Sequence, residues 1–147
     1  MRNKMEQILS LIILAAITIL SAPNASAESD LKTIDTAQLH SMIVDNAYRL
    51  EGGREINFTV IDARTKKEYD ESHIFSAISI PENGFEQSMN LLPKDKGMLI
   101  VVYGNDTNTN MSKKWAGKAR SAGYANISIY SEGFLVWKKN KMPIAPI

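Results

Sequence analysis

Cysteine is absent from this 147-residue chain. That absence excludes disulfides, thiolate zinc sites, iron–sulfur clusters, covalent haem attachment, thiol-linked lipid and every cysteine nucleophile. Histidine is scarce: His40 and His73 are the only two, too few for a histidine-rich metal site. Neither a metal nor a cofactor is expected. Excess charge of one sign is also lacking, with 17 Lys plus Arg against 16 Asp plus Glu and a net charge of +1. Without bulk positive charge there is no counterion release to drive binding to nucleic acid, so no such partner is expected. Eight glycines and five prolines are too few for a fibrous or disordered chain. What remains is globular in proportion, 44% hydrophobic and 22% charged, and of a length for one domain behind a processed segment.

The N-terminus reads as an address. Arg2 and Lys4 form a short positive region, and Ile8 to Leu20 is apolar except for Ser10 and Thr18. Pro23 and the small-residue pattern Ala25-Ser26-Ala27 follow. These are the three parts of a secretory signal peptide over residues 1–27, with cleavage expected after Ala27. The apolar stretch is shorter than the roughly 20 residues that span a bilayer, so no stable membrane anchor is expected after cleavage. Without cysteine a lipoprotein anchor is excluded. The expected product is a periplasmic or secreted domain, residues 28–147, with equal numbers of basic and acidic residues once Arg2, Lys4 and Glu6 are removed.

In the mature chain strands alternate with helices. Asp35 with Gln38 three residues on has the form of a capping box. Leu39, Met42, Ile43 and Ala47 then follow helical spacing. Phe58 to Ile61 is a β-branched strand ending at Asp62. Thr65 to Glu71 suits one or two helical turns, Ala77 to Ile80 a short strand closed by Pro81, and Phe85 to Leu92 a helix stopped by Pro93. Met98 to Tyr103 is a continuous apolar run, as expected of a strand buried on both faces. Met111 to Ala122 is helical with Gly123 placed to cap it. Ile127 to Tyr130 is a strand, and Gly133 to Lys141 a last helix. The pattern predicts an α/β fold, a mostly parallel central sheet with helices on both faces. Ligands of such sheets bind beyond the carboxyl ends of the strands. That places the segment opening at Asp62 and the loop Gly104 to Asn110 at the candidate edge.

These residues carry a family likeness. Val60-Ile61-Asp62-Ala63-Arg64, Glu68-Tyr69, His73-Ile74, Ala77 and Ile80-Pro81 resemble the first half of a rhodanese domain. Leu99 to Tyr103 resembles the strand feeding its active loop. Gly123 to Ile127, Glu132-Gly133-Phe134 to Trp137, and Pro143-Ile144 resemble its closing part. The likeness covers about residues 36–144. It implies a three-layer rhodanese-like sandwich that moves sulfane sulfur as a persulfide on one cysteine, the first residue of the loop after the central strand. Backbone N–H groups of that loop stabilise the anionic sulfur.

Here the position after Tyr103 is Gly104. Ser112-Lys113-Lys114-Trp115-Ala116 matches the segment that opens the following helix and fixes the register. Serine and threonine hydroxyls are not ionised near neutral pH as a thiolate is. Thr107 and Thr109 therefore cannot hold a persulfide, and ordinary sulfur transfer is not expected. Asp62 has two readings: a phosphoryl acceptor, or a support that with Arg64 holds the strand-to-helix turn. The flanking motifs favour support. His73 reads as a hydrogen-bonded structural residue, and Trp115 and Trp137 as core. The loop of Gly104, Asn105, Asp106, Thr107, Asn108, Thr109 and Asn110, running on into Met111 and Ser112, has two open readings. It is a cradle for a small oxyanion or sulfur compound at a helix N-terminus, or a relic whose Asn and Thr satisfy their own backbone. The expectation is a binding protein for such a ligand or for an envelope protein partner. The alternatives are a residual enzyme using non-Cys groups or a partner's thiol, and a structural module of an envelope complex.

Overall fold

The computed structural model describes residues 31 to 146. The secretory segment read over residues 1–27 lies outside them. The elements run β1 (Lys32–Ile34), α1 (Thr36–Glu51), β2 (Phe58–Asp62), α2 (Lys66–Glu71), β3 (His73–Ile74), β4 (Ile78–Ser79), β5 (Leu99–Tyr103), α3 (Asn110–Ser121), β6 (Ile127–Tyr130), α4 (Gly133–Lys139) and β7 (Ile144–Ala145). Five strands form one sheet in the order β1-β6-β5-β2-β4, and every pairing in it is parallel. The α/β sandwich expected from the strand–helix alternation is the fold observed.

Side chains alternate across a pleated sheet, so an unbroken apolar strand feeds two cores. Ile100 and Val102 join Ile61, Ile127 and Ile129 against Trp115, Ala116 and Ala119 of α3. Val101 and Tyr103 join Phe58, Val60 and Tyr130 against Leu39 and Ile43 of α1 and Phe134 and Trp137 of α4. Both tryptophans are fully buried. Each indole N–H donates to a carbonyl, Trp115 to Ile80 at 2.9 Å and Trp137 to Pro143 at 2.8 Å. Large rings are thus placed without an unpaired donor.

Helix starts follow local chemistry. Asp35 accepts from the Gln38 N–H at 2.9 Å while the Gln38 side chain accepts from the Asp35 N–H at 3.0 Å. Thr65 and Glu68 repeat this box at α2. Gly123, at φ +96°, follows the end of α3 in the left-handed conformation that favours glycine.

Four details differ from expectation. Phe85 to Leu92 is not an α-helix but 3-10 turns, Glu82–Gly84 and Glu86–Leu91. Phe85 and Leu92 are buried while Met89 and Leu91 between them are exposed, so no continuous apolar face exists to support an α-helix. The strand expected at Ala77 to Ile80 is only Ile78–Ser79, and the last helix stops at Lys139. A second sheet, β3 with β7 antiparallel, was not foreseen.

Candidate functional site

β2 and β5 end side by side, with Asp62 and Tyr103 register partners. Beneath the loop they hold a closed polar network. Asp62 is fully buried and Arg64 is 3% exposed. The Arg64 Nη2 donates to Asp62 Oδ2 at 2.6 Å, and the Arg64 backbone N–H to Oδ1 at 2.9 Å. Tyr103 donates its hydroxyl to Asp62 Oδ2 at 2.5 Å and accepts from the Ile74 N–H at 3.1 Å. Arg64 also donates to the Ser72 carbonyl at 2.8 Å and lies 3.9 Å from the Phe134 ring centroid. A buried charge pair needs such partners on every side. Burial works against the Arg64 charge, but Asp62 outweighs it and raises the guanidinium pKa above its ordinary value. Burial and then the Asp62 charge raise the Tyr103 phenol well above its ordinary value, so it stays a neutral donor.

His73 sits in β3, where its Nδ1 lies 2.8 Å from the Tyr69 carbonyl and its ring stacks on Tyr69 at 3.7 Å. The structure therefore holds it in the small sheet and not in the loop.

The loop itself leaves β5 at Gly104, which is buried, and runs out to exposed Asp106, Thr107 and Asn108. Its carbonyls feed α4: Phe134 N–H donates to Gly104 O at 3.0 Å, and Leu135 N–H to Asn105 O at 2.9 Å. In a trans peptide the carbonyl and the following N–H point opposite ways. The N–H groups of Asn105 and Asp106 are therefore turned away from α4. Gly133, at φ +75°, permits this closeness: a Cβ there would stand 2.6 Å from Asp106 O. Neither Gly133 nor the α4 N–H groups are readable as loop-shaping residues from the sequence, because the contact spans two connections of the fold.

The N–H accounting of the loop divides it. The Asp106 carboxylate accepts from Asn108 N–H at 2.8 Å, and the Asn108 side chain from Asn110 N–H at 3.2 Å. Among the described residues the N–H groups of Asn105, Asp106, Thr107, Thr109, Met111 and Ser112 have no hydrogen-bond partner. Some of the loop satisfies itself, and the rest remains available at the positive end of α3. No Lys or Arg lies between Gly104 and Ser112.

A protein-family model described as the rhodanese-like domain matches residues 35–140. The chain belongs to the rhodanese-like domain family. This member has Gly104 at the loop's opening position and no cysteine. A solved structure from Anabaena sp. is 29% identical, with 78% of this chain and 92% of that chain covered and a TM-score of 0.60. A full-length protein from Lactobacillus plantarum, 18% identical, covers 100% of both chains with a TM-score of 0.62. A rhodanese-related protein from Thermoplasma volcanium, 20% identical, covers 78% of this chain and 97% of its own with a TM-score of 0.54. These last two are likenesses of fold. No curated protein matches the sequence.

Proposed function

We propose that this rhodanese-like domain is a non-catalytic, exported binding protein that holds a small oxyanion or sulfur compound at the loop 104–112. The observation that carries the reading is the pairing of Gly104, in the sulfur-carrying position, with a loop that keeps several N–H donors unpaired. Persulfide transfer needs a sulfur atom that accepts and releases another sulfur, and no thiol exists in the chain. A hydroxyl nucleophile needs a base beside it. His73 is engaged with Tyr69, and Asp62 with Arg64 and Tyr103. Binding is what is left for an electropositive helix start and a row of free donors.

The test has two arms. Mature protein is assayed for cyanide-dependent thiocyanate production from thiosulfate, with a blank reading expected. Turnover surviving repurification and dialysis overturns the non-catalytic reading. Thermal unfolding is then followed with thiosulfate, sulfite, sulfate, phosphate and selenite. A ligand of the native state raises stability by RT ln(1 + [L]/Kd), so the midpoint is expected to climb with dose for at least one. Intact mass of envelope-fraction protein is expected to correspond to Glu28 to Ile147; retention of residues 1–27 overturns the export reading.

One observation favours a protein partner as the second reading. A groove of about 350 Å³ beside edge strand β4 is lined by Ile43, Leu50, Ile56, Phe75 and Ile78. Leu50 is 61% exposed and Phe75 48%. If no anion shifts the midpoint, this apolar face becomes the better candidate.

A further inference from the structure

A second opening lies at the other end of the sheet. Lys32, Phe58 and Leu99 are the first residues of β1, β2 and β5, whereas Gly104 follows the last residue of β5. In a parallel sheet all strand starts share one edge and all strand ends the other, so these three residues stand a strand length away from the loop 104–112. They line a cavity of about 780 Å³ beneath the flank of α1, a size within the range of small-molecule sites. The sheet leaves this room because β6, between β1 and β5, brings only a short side chain to that row. Ser128 is the register partner of Lys32 on one side and of Val101 on the other. The helix also presents short side chains to the cavity, Ala37 and Ser41. Hydrogen bonds at two places hold α1 at this distance. Thr36 Oγ1 donates to Glu132 Oε2 at 2.6 Å at its start. Further along, the Asn46 side chain donates to the Phe58 carbonyl at 3.1 Å and accepts from the Asn57 N–H at 3.1 Å. The cavity is therefore built into the packing of helix on sheet.

We propose that this cavity binds a small amphipathic carboxylate, an acid group on a short apolar chain. Its floor is apolar: Ile34 and Phe58 are buried, and Met42 and Leu99 stay partly exposed to a ligand. Its one cation is Lys32, which is exposed and has no ion pair among the described residues. Its one carboxylate, Asp45, is held by Arg49 Nε at 2.8 Å, so that negative charge is already offset. A free ammonium beside a carbon floor complements an anionic head on an apolar chain. A neutral apolar ligand would leave the ammonium unused, and an inorganic oxyanion would leave the floor uncovered. Covering the floor supplies most of the affinity, and an exposed lysine adds a smaller share. No residue of the loop 104–112 lines the cavity, so binding here is independent of whatever the loop holds.

The experiment measures isothermal titration and thermal unfolding of the mature protein with butanoate, hexanoate and octanoate below their micelle-forming concentrations. Octanamide serves as the uncharged analogue. Octanoate is expected to raise the unfolding midpoint with dose, and affinity to climb by about three- to fourfold per added methylene. Octanamide is expected to bind about three- to fivefold more weakly than octanoate. Lys32→Gln is expected to erase that preference and leave the fold unchanged. Ser41→Trp, on the exposed flank of α1, fills the cavity and is expected to weaken octanoate by about tenfold or more. No binding of any of these acids overturns the proposal. Octanamide binding as tightly as octanoate overturns the assignment to a carboxylate. Octanoate binding that survives both variants, or that thiosulfate displaces, places the acid elsewhere and overturns the cavity as its site. Should Ser41→Trp fold poorly, Lys32→Gln carries the test, and an unchanged preference for acid over amide in it overturns the proposal.

Discussion

Tyr103 and Asp62 face each other across the β2–β5 register, and the phenol donates to the carboxylate at 2.5 Å. The same phenol oxygen accepts from Ile74 N–H, so one side chain ties two strands and the small sheet together immediately before Gly104. The floor of the loop is a charge network, not a hydrophobic plug.

Removing Asp62 leaves Arg64 buried and without its counter-charge. Asp62→Ala is expected to lower stability by about 3–5 kcal/mol, the usual cost of breaking a buried pair from one side. Tyr103→Phe removes one donor to Asp62 and one acceptor for Ile74, with an expected cost of about 1–3 kcal/mol. Urea unfolding of both variants gives the comparison. An Asp62→Ala protein that unfolds like the parent but no longer binds an anion would assign Asp62 to the site.

Alkaline pH supplies a second check. Burial first, and then the Asp62 charge, hold the Tyr103 phenol well above its ordinary value. In the unfolded chain that phenol ionises near pH 10. Above this pH the unfolded state has fewer protons bound than the folded state, so stability falls as pH rises. Tyr69 and Tyr130 are raised as well, chiefly by burial, and add to the fall. Unfolding free energy measured from pH 8 to 11 is expected to drop above about pH 10, and less steeply in Tyr103→Phe. An identical slope in the variant would remove Tyr103 from this account.

Gly133 and Gly53 form a matched pair. Both have positive φ, +75° and +70°, but a Cβ on Gly53 meets nothing within 4 Å while one on Gly133 strikes the Asp106 backbone. Gly53→Ala is expected to cost only the left-handed conformation, about 1–2 kcal/mol. Gly133→Ala is expected to cost more and to displace the loop, so that anion-induced thermal shifts shrink in it and not in Gly53→Ala. Equal effects would mean that α4 does not shape the loop.

Restoring the thiol reads the loop's field directly. In Gly104→Cys the unpaired N–H groups and the start of α3 favour thiolate, so alkylation by iodoacetamide should titrate below the free value of about 8.5. Asp106 nearby and the absence of Lys and Arg make the depression modest. A protein otherwise free of cysteine gives no background. A midpoint at or above the free value would show that the loop offers no stabilisation to an anion.

The fold was legible where a physical signal extended over several residues. The run Leu99 to Tyr103 declared a strand buried on both faces, and its alternate members divide between the two cores as the pleat requires. The Asp35–Gln38 box declared a helix start. The missed elements are short ones. β1 has three residues, only Ile34 of them buried, and β3 and β7 have two each. Their existence depends on partners distant in sequence, which no local pattern encodes. At the site, the opening position was legible because the strand before it and the helix after it fixed the register. The Tyr103–Asp62 bond and the backing of the loop by α4 were not, since each is a tertiary contact. The 3-10 turns after Pro81 misled for the opposite reason, spacing that looked helical without the burial to sustain a helix.

The all-parallel main sheet also governs how the molecule is made. A parallel pair cannot be closed by a tight hairpin, so none of its ladders is nucleated by a local turn. β1 joins β6, and Thr36 meets Tyr130 at a separation of 94 residues. Loop closure must precede the reward at each step, so this chain is expected to fold more slowly than a domain of equal size built from local contacts. A chain wired in this way stays unfolded for longer after synthesis than a hairpin-built domain of equal stability.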